Sequence, residues 1–229
     1  MNTFQPVPPV VFISPHLDDV ALSCAKFLHR NPGSTVVTVL AGAPNQHHLG
    51  YNAMTTGQHF APAAMQVRRD EDAEAMSSLS ANYVWLDLLD RDFLERDPSP
   101  EDQLRMQHAI GDAVAKSGAQ SVVAPLGLIH ADHGAVSNAC LSLIPHSTLD
   151  WYLYMEMPYG QARPRKMTRR LKEVRKVVNL TSLEPYWGDD EVKNRAIRLY
   201  ASQIRHVRKS FPRGFAATLV DGERYWRIH

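Results

Sequence analysis

Two apolar, β-branched runs lie close together near the start of the chain, Val10-Val11-Phe12-Ile13-Ser14 and Thr35-Val36-Val37-Thr38-Val39-Leu40. Between them, Val20, Ala21, Leu22, Ala25, Phe27 and Leu28 form one apolar stripe at helical spacing over Val20 to His29, and Asn31-Pro32-Gly33 ends it. Strands so uniformly apolar belong in the middle of a parallel sheet, where both faces are covered. Strand, helix and strand in so short a span make a βαβ unit, normally right-handed. That constraint leaves few folds open.

The same alternation continues along the chain. Strands are expected at Tyr83-Val84-Trp85-Leu86, Ser121 to Ala124 and Asp150 to Met155. Helices are expected from about Pro62 to Ser80, from Glu101 to Lys116, from His133 to Leu143 and from Glu191 to Val207. In the second of these, Leu104, Ile110, Ala113 and Val114 are expected to face inward; in the last, Val192, Ala196, Leu199, Tyr200 and Ile204 are. The fold class is α/β, a mostly parallel sheet flanked by helices. A length of 229 residues, without internal repeat or linker, fits one domain over 1–229.

Chemistry collects where two of these strands end. Pro15-His16-Leu17-Asp18-Asp19 follows the first strand and delivers one imidazole and two carboxylates within four residues. His16 and Asp19, three apart, project to one side at the first turn of a helix, while Asp18 points elsewhere. Ile129-His130-Ala131-Asp132-His133-Gly134 follows the strand at Ser121 to Ala124. Open α/β sheets place their ligand crevices at the carboxyl ends of strands, so the two clusters can meet across 114 positions, from His16 to His130. A hydrolytic zinc takes three protein ligands and keeps a position open for water, more than His16 and Asp19 alone provide. Taken singly, each cluster also has a plainer reading, as helix-capping aspartates or as loop polarity.

Together the two clusters resemble the PIG-L/LmbE-like family of zinc-dependent de-N-acetylases, which is marked by a PHxDD-type loop and a later HxDH. Further segments are similar to the family's: Arg68-Arg69-Asp70-Glu71-Asp72 to an RRxED-like stretch, Pro125-Leu126-Gly127-Leu128 to the approach to HxDH, and Tyr200-Ala201-Ser202-Gln203 to a YxSQ segment. Leu79-Ser80 departs from the usual Leu-Gly at the end of the RRxED helix. The resemblance implies a Rossmann-like fold and hydrolysis of an N-acetyl group on an amino sugar, glycoside or glycan intermediate. It implies that His16, Asp19 and His133 hold the metal and that Asp18 is the general base. His130 then stabilises the oxyanion or acts as acid, Asp132 is its neighbouring carboxylate, and Arg68 contacts substrate hydroxyls. The implied cofactor is Zn2+, or another divalent transition metal such as Fe2+.

Composition is consistent with this and narrows the partners. Hydrophobic residues make up 44% and charged residues 21%, with a net charge of +1, so nothing draws the whole chain to nucleic acid or a membrane. No apolar run approaches the ~20 residues that span a bilayer, and the N-terminus has no signal-peptide pattern. A cytoplasmic enzyme acting on a small N-acetylated sugar or glycoside is expected. Cys24 and Cys140 have neither metal nor redox spacing and read as buried small apolar groups. The segment Ala41 to Ala64, with His47, His48 and His59, reads as a wall of the substrate pocket, the histidines themselves as exposed loop groups. Asp87 to Pro100 reads as a polar loop in which Asp90, Asp92 and Asp97 are solubilising; Glu156 and Tyr159, after the fifth strand, are placed to line the pocket. Arg68 and Glu71 also read as a solvated i,i+3 pair. The basic run from Arg163 to Lys176 reads as a solvated face or as a surface for an anionic substrate. Two other classes stay open: another metallohydrolase such as a phosphoesterase, and a non-catalytic carbohydrate-binding protein on the same fold.

Overall fold

In the computed structural model, which describes residues 3–44, 61–94, 96 and 98–229, the strands are β1 (Val10–Ser14), β2 (Thr35–Thr38), β3 (Asn82–Trp85), β4 (Ser121–Pro125), β5 (Asp150–Tyr154), β6 (Leu180–Ser182) and β7 (Tyr225–Ile228). They form one sheet in the order β3-β2-β1-β4-β5-β7-β6. The first five are parallel, and β7 and β6 close the far edge antiparallel. The order reverses at β1, which has β2 on one side and β4 on the other. A crevice opens at such a reversal because the two following loops leave in opposite directions. The two motif loops leave from β1 and β4.

The helices are α1 (Asp19–Arg30), α2 (Ala61–Ser78), α3 (Pro100–Ser117), α4 (Ala131–Leu143), α5 (Pro164–Val174), α6 (Asp190–Arg198), α7 (Ala201–Ser210) and α8 (Pro212–Val220), with single helical turns at Arg91–Leu94 and Tyr159–Ala162. Successive strand residues point to opposite faces, and two cores result. Val11, Ile13, Val37, Val122 and Leu153 pack with Met106, Ile110 and Val114 of α3 and Val136, Ala139 and Cys140 of α4. On the other face, Val10, Phe12, Val36, Val123 and Tyr152 pack with Val20, Cys24 and Phe27 of α1, Met76 of α2 and Val192 and Ala196 of α6. Both cysteines are buried and free. Among the described residues no helix is long and apolar enough to cross a membrane.

Three expectations are corrected. Leu104 is exposed, because the inward stripe of α3 is Met106, Ile110 and Val114, and Leu104 lies two residues, about 200°, away from it. The helix expected from Glu191 to Val207 is two, α6 and α7. The chain leaves helical geometry at Tyr200 (φ −86, ψ 52), whose hydroxyl donates to Asp72 at 2.7 Å. The polar loop after β3 contains the helical turn Arg91–Leu94, pinned by buried Phe93. The strand β6 and the helix α8 have no counterpart in the sequence reading. Most of the segment Ala41 to Ala64, including His47, His48 and His59, lies outside the described residues, as does Asp97.

Candidate active site

The loop leaving β1 is fixed before α1 begins. Ser14 Oγ donates to the His16 carbonyl (2.6 Å) and accepts from the Val20 N–H (3.3 Å). His16 therefore sits ahead of the helix rather than on its first turn. A double contact brings it to Asp19: its backbone N–H donates to Asp19 Oδ2 (2.9 Å), and its Nδ1 lies 3.2 Å from the same oxygen. Asp18 occupies the N-cap position, yet its side chain makes no capping hydrogen bond. The capping explanation fails for Asp18, which is buried and free to face the cavity.

The loop leaving β4 is held by Glu156, which is fully buried at the end of β5. Its Oε1 accepts from the N–H groups of Gly127 (2.7 Å) and Leu128 (2.9 Å). Gly127 has φ +90, and a Cβ there would stand 2.8 Å from Ser137 Cβ, so glycine is required. His130 then caps α4 by position, with Asp132 and His133 in its first turn.

His133 is fully buried between two carboxylates. Its Nε2 lies 3.2 Å from Asp19 Oδ2 and its Nδ1 3.3 Å from Glu156 Oε1. Glu156 is an acceptor for Nδ1–H, so Nε2, toward Asp19, is the nitrogen that would give up its proton to bind a metal. The Asp19 contact is close enough for an ion pair but misaligned for a hydrogen bond, which leaves Nε2 a buried polar atom without a hydrogen-bond partner. His16 repeats the pattern: one nitrogen faces Asp19, and the other, Nε2, lies 3.2 Å from Asp132 Oδ2. One ligand atom of each of His16, Asp19 and His133 lies within 4.8 Å of the other two. His16, His130 and Asp132 meet the same spacing, but His130 is 48% exposed, and the unpartnered nitrogen belongs to the buried trio. Donors of this kind, converging with an unsatisfied nitrogen among them, fit a divalent transition metal. Asp132 is shared, its Oδ2 also lying 3.5 Å from His130 Nδ1.

Charges are interlocked here. Burial opposes a charge on His16, but hydrogen bonds to Asp132 and Asp19, and their charges, outweigh it and raise its pKa to about 10. For His133 burial is likewise outweighed, by Asp19 and Glu156, and the pKa rises to about 9. Asp19 is held far below the usual carboxylate range against its burial, by His133 and His16; Asp132 is held low against burial by His130 and His16. Asp18 moves the other way. Burial and the neighbouring Asp19 charge raise it to about 6, against the pull of Arg68, His16 and His133.

The two remaining motifs turn out to be each other's partners. Arg68 is buried and donates through Nε and Nη2 to Gln203 Oε1 (3.0 and 2.6 Å). Glu71 does not pair with Arg68; it accepts from the Ser202 N–H (2.8 Å) and hydroxyl (2.6 Å). Asp72 accepts from the Tyr200 hydroxyl and from Trp85 Nε1, both at 2.7 Å. Three residues of the RRDED segment of α2, Arg68, Glu71 and Asp72, are thus bound to Gln203, Ser202 and Tyr200 of the YASQ segment, which holds Arg68 at the site.

A cavity of about 200 Å³ joins these parts, lined by His16, Asp18, Asp19, His130 and Asp132, by Arg68, Asp90, Asp92, Gln203 and His206, and by the apolar Ile129, Tyr159, Val207 and Phe211. Asp90 is buried and lines it, contrary to the expectation of a solubilising loop residue; its Oδ2 lies 3.9 Å from Arg68 Nη1. Tyr159 lines it as expected, whereas Glu156 stands behind His133. A second cavity of about 310 Å³ lies beyond Asp132, against α3, and contains no histidine. None of the residues from Arg163 to Lys176 lines the site cavity, and Arg170 is spent on Leu126 O (2.9 Å), Ser137 Oγ (3.0 Å) and Asn138 Oδ1 (2.7 Å). Sequence reasoning attached no role to Gln203 or Phe211, which only tertiary structure brings to the site.

A profile of the GlcNAc-PI de-N-acetylase family, PIG-L, matches residues 11–144, more than half of the chain. The chain belongs to this family. Among curated relatives it is similar to 2'-N-acetylparomamine deacetylase of Streptomyces fradiae, 28% identical over 232 aligned positions that cover 89% of this chain and 79% of the relative. Among solved structures it is similar to a triple mutant of a deacetylase of the teicoplanin biosynthetic pathway, with a TM-score of 0.78 at 21% identity over 96% of this chain and 97% of the other. The zinc-inhibited form of teicoplanin deacetylase gives a TM-score of 0.72 at 20% identity over 96% and 97%. At these identities the structural likeness establishes the fold: a PIG-L-type, Rossmann-like sheet.

Proposed function

We propose that this PIG-L protein hydrolyses the acetamide of an N-acetylated amino sugar or glycoside, releasing acetate and the free amine, with a divalent metal held by His16, Asp19 and His133. The observation that carries the reading is the buried, unpartnered His133 Nε2, 3.2 Å from Asp19 Oδ2, with His16 Nδ1 3.2 Å from the same oxygen. Bound there, zinc, or another divalent transition metal such as Fe2+, supplies polarisation of the acetyl carbonyl and a lowered pKa for water. The relatives that act on acetylated paromamine and teicoplanin support an amino-sugar glycoside as the substrate class.

The chain's own groups divide the remaining work. Asp18, beside the trio but not part of it, takes the proton of the attacking water and returns it to the leaving nitrogen. A carboxyl raised to about 6 is suited to both transfers near neutral pH. His130, at the exposed edge of the cavity with Asp132 Oδ2 3.5 Å from its Nδ1, donates to the oxyanion. Arg68, held at the cavity by Gln203, contacts sugar hydroxyls. We further read 1–229 as one catalytic domain, which the single sheet drawing strands from Val10 to Ile228 supports, and the cytoplasm as its place of work. The test is release of free amine from a panel holding N-acetylglucosamine, acetylated glycosides and 2'-N-acetylparomamine, with and without chelator. Chelator-sensitive release is expected; metal-loaded protein that releases amine from no member would overturn the reading.

A further inference from the structure

Ile129 stands immediately before the HxDH motif with φ +64. A positive φ is costly for any residue with a Cβ and most of all for a β-branched one; glycine or asparagine is the ordinary choice. The turn is tight as well, since the His130 N–H donates to the Leu128 carbonyl at 2.7 Å, a γ-turn about Ile129 of the rare positive-φ kind. Core packing does not explain the residue. Ile129 is 37% exposed and joins none of the hydrophobic clusters among the described residues, unlike its neighbour Leu128. The fold therefore carries a strained, branched apolar side chain outside its hydrophobic cores. The residue does line the site cavity, whose apolar lining consists of Ile129, Tyr159, Val207 and Phe211. The Tyr159 and Phe211 rings meet edge to face there, centroids 5.2 Å apart. The polar lining beside the two motifs is Arg68, Asp90, Asp92, Gln203 and His206.

We propose that Ile129 is a specificity-determining residue: it completes an apolar wall that packs against the ring attached to the amino sugar, so that the protein prefers N-acetylated glycosides to the free N-acetylated sugar. The inference rests on the amino-sugar reading above. Strain of this kind persists at ligand sites because the surrounding structure holds it there. A ring, whether a second sugar, a cyclitol or an aromatic group, presents a flat face of C–H or π character that an isoleucine beside two aromatic rings can cover. Loss of one such apolar contact lowers discrimination about tenfold or more.

The test measures binding, by calorimetric titration of metal-loaded protein with para-nitrophenyl N-acetylglucosaminide and with free N-acetylglucosamine. With Ile129 in place the protein is expected to bind the glycoside at least tenfold more tightly. Ile129→Asn accepts the positive φ but removes the apolar branch, and is expected to cut that ratio about tenfold with no loss of melting temperature. Ile129→Val keeps the branch and is expected to retain the ratio. Equal binding of the two probes with Ile129 in place, absence of binding to both, or an Ile129→Asn ratio equal to that with Ile129 in place would each overturn the inference. The titrations are run in an Asp18→Asn background, which keeps the metal but is slow to turn over, so hydrolysis does not enter the binding ratio, and amine release read on protein with Asp18 intact judges the deacetylase reading separately.

Discussion

Glu156→Gln tests how the site holds its metal. Glu156 Oε1 accepts three contacts at once, two backbone N–H groups at 2.7 and 2.9 Å and His133 Nδ1 at 3.3 Å. Glutamine keeps the shape and an oxygen for the two N–H groups, so the loop after β4 should stay in place. What disappears is the negative charge behind His133, which fixes the Nδ1 hydrogen and makes Nε2 a stronger donor to the metal. A hydrogen bond to a charged acceptor is about twice as strong as a neutral one, whose net value is about 1 kcal/mol. Loss of a carboxylate behind a ligating histidine typically lowers metal affinity about 10- to 100-fold, or ~1.4 to 2.7 kcal/mol. We expect zinc affinity, measured by competition with a chromophoric chelator, to fall in that range. The melting temperature, followed by circular dichroism, should move by no more than about 3 °C, as for less than 1 kcal/mol in a chain of this size. An affinity within twofold of wild type, with the fold intact, would refute the reasoning and leave Glu156 as a clamp on the loop alone.

Other consequences are equally specific. Asp18→Asn should keep its metal while turnover falls about 10²- to 10⁴-fold, and His133→Ala should lose the metal itself, both read by bound-metal analysis beside an amine-release assay. Zinc uptake at neutral pH should release about two protons, because His16 and His133, raised to about 10 and about 9, each hold a proton the metal must displace. Affinity should therefore climb with pH into that range, and calorimetry in buffers of different ionisation enthalpy showing no proton release would contradict it. Burial raises Asp72 from 3.8 to about 7, against the hydrogen bonds from Trp85 and Tyr200. A carboxyl raised on folding contributes stability that is complete below about pH 4 and is lost as pH rises to about 7, at most about 4 kcal/mol. Asp72→Asn, which cannot titrate, should accordingly gain on wild type between pH 4 and pH 7 in urea denaturation, and a constant difference across that window would show that Asp72 ionises normally.

Much of the candidate site was readable because its groups are local in sequence. The Pro15 to Asp19 and His130 to His133 clusters each hold their groups within a few residues, and the apolar runs before them place both at strand ends. The meeting of the two depends only on β1 and β4 being neighbours, which parallel strands at a reversal of strand order allow. What escaped was long-range. Nothing in Arg68 or Glu71 announces a partner more than 130 positions away, so both read as a surface pair, whereas Gln203 and Ser202 take them. The break at Tyr200 was invisible for the same reason: the periodicity continues through it, and only the bond to Asp72 bends the chain. Asp90 looked like loop polarity because burial by a neighbouring segment leaves no mark on a loop's own sequence. Leu104 misled through composition, since an apolar residue on a helix two positions off the inward stripe faces water.

The central claim is that one metal ion on His16, Asp19 and His133 is required for deacetylation. The direct measurement strips the protein of metal, restores zinc in graded amounts, and follows bound metal per chain together with amine release from an N-acetylated glycoside. Activity should rise in proportion to bound metal, reach its maximum at about one equivalent, and stay absent at every level in His133→Ala. Full activity in the stripped protein, or restored activity in His133→Ala at one equivalent, would contradict the account.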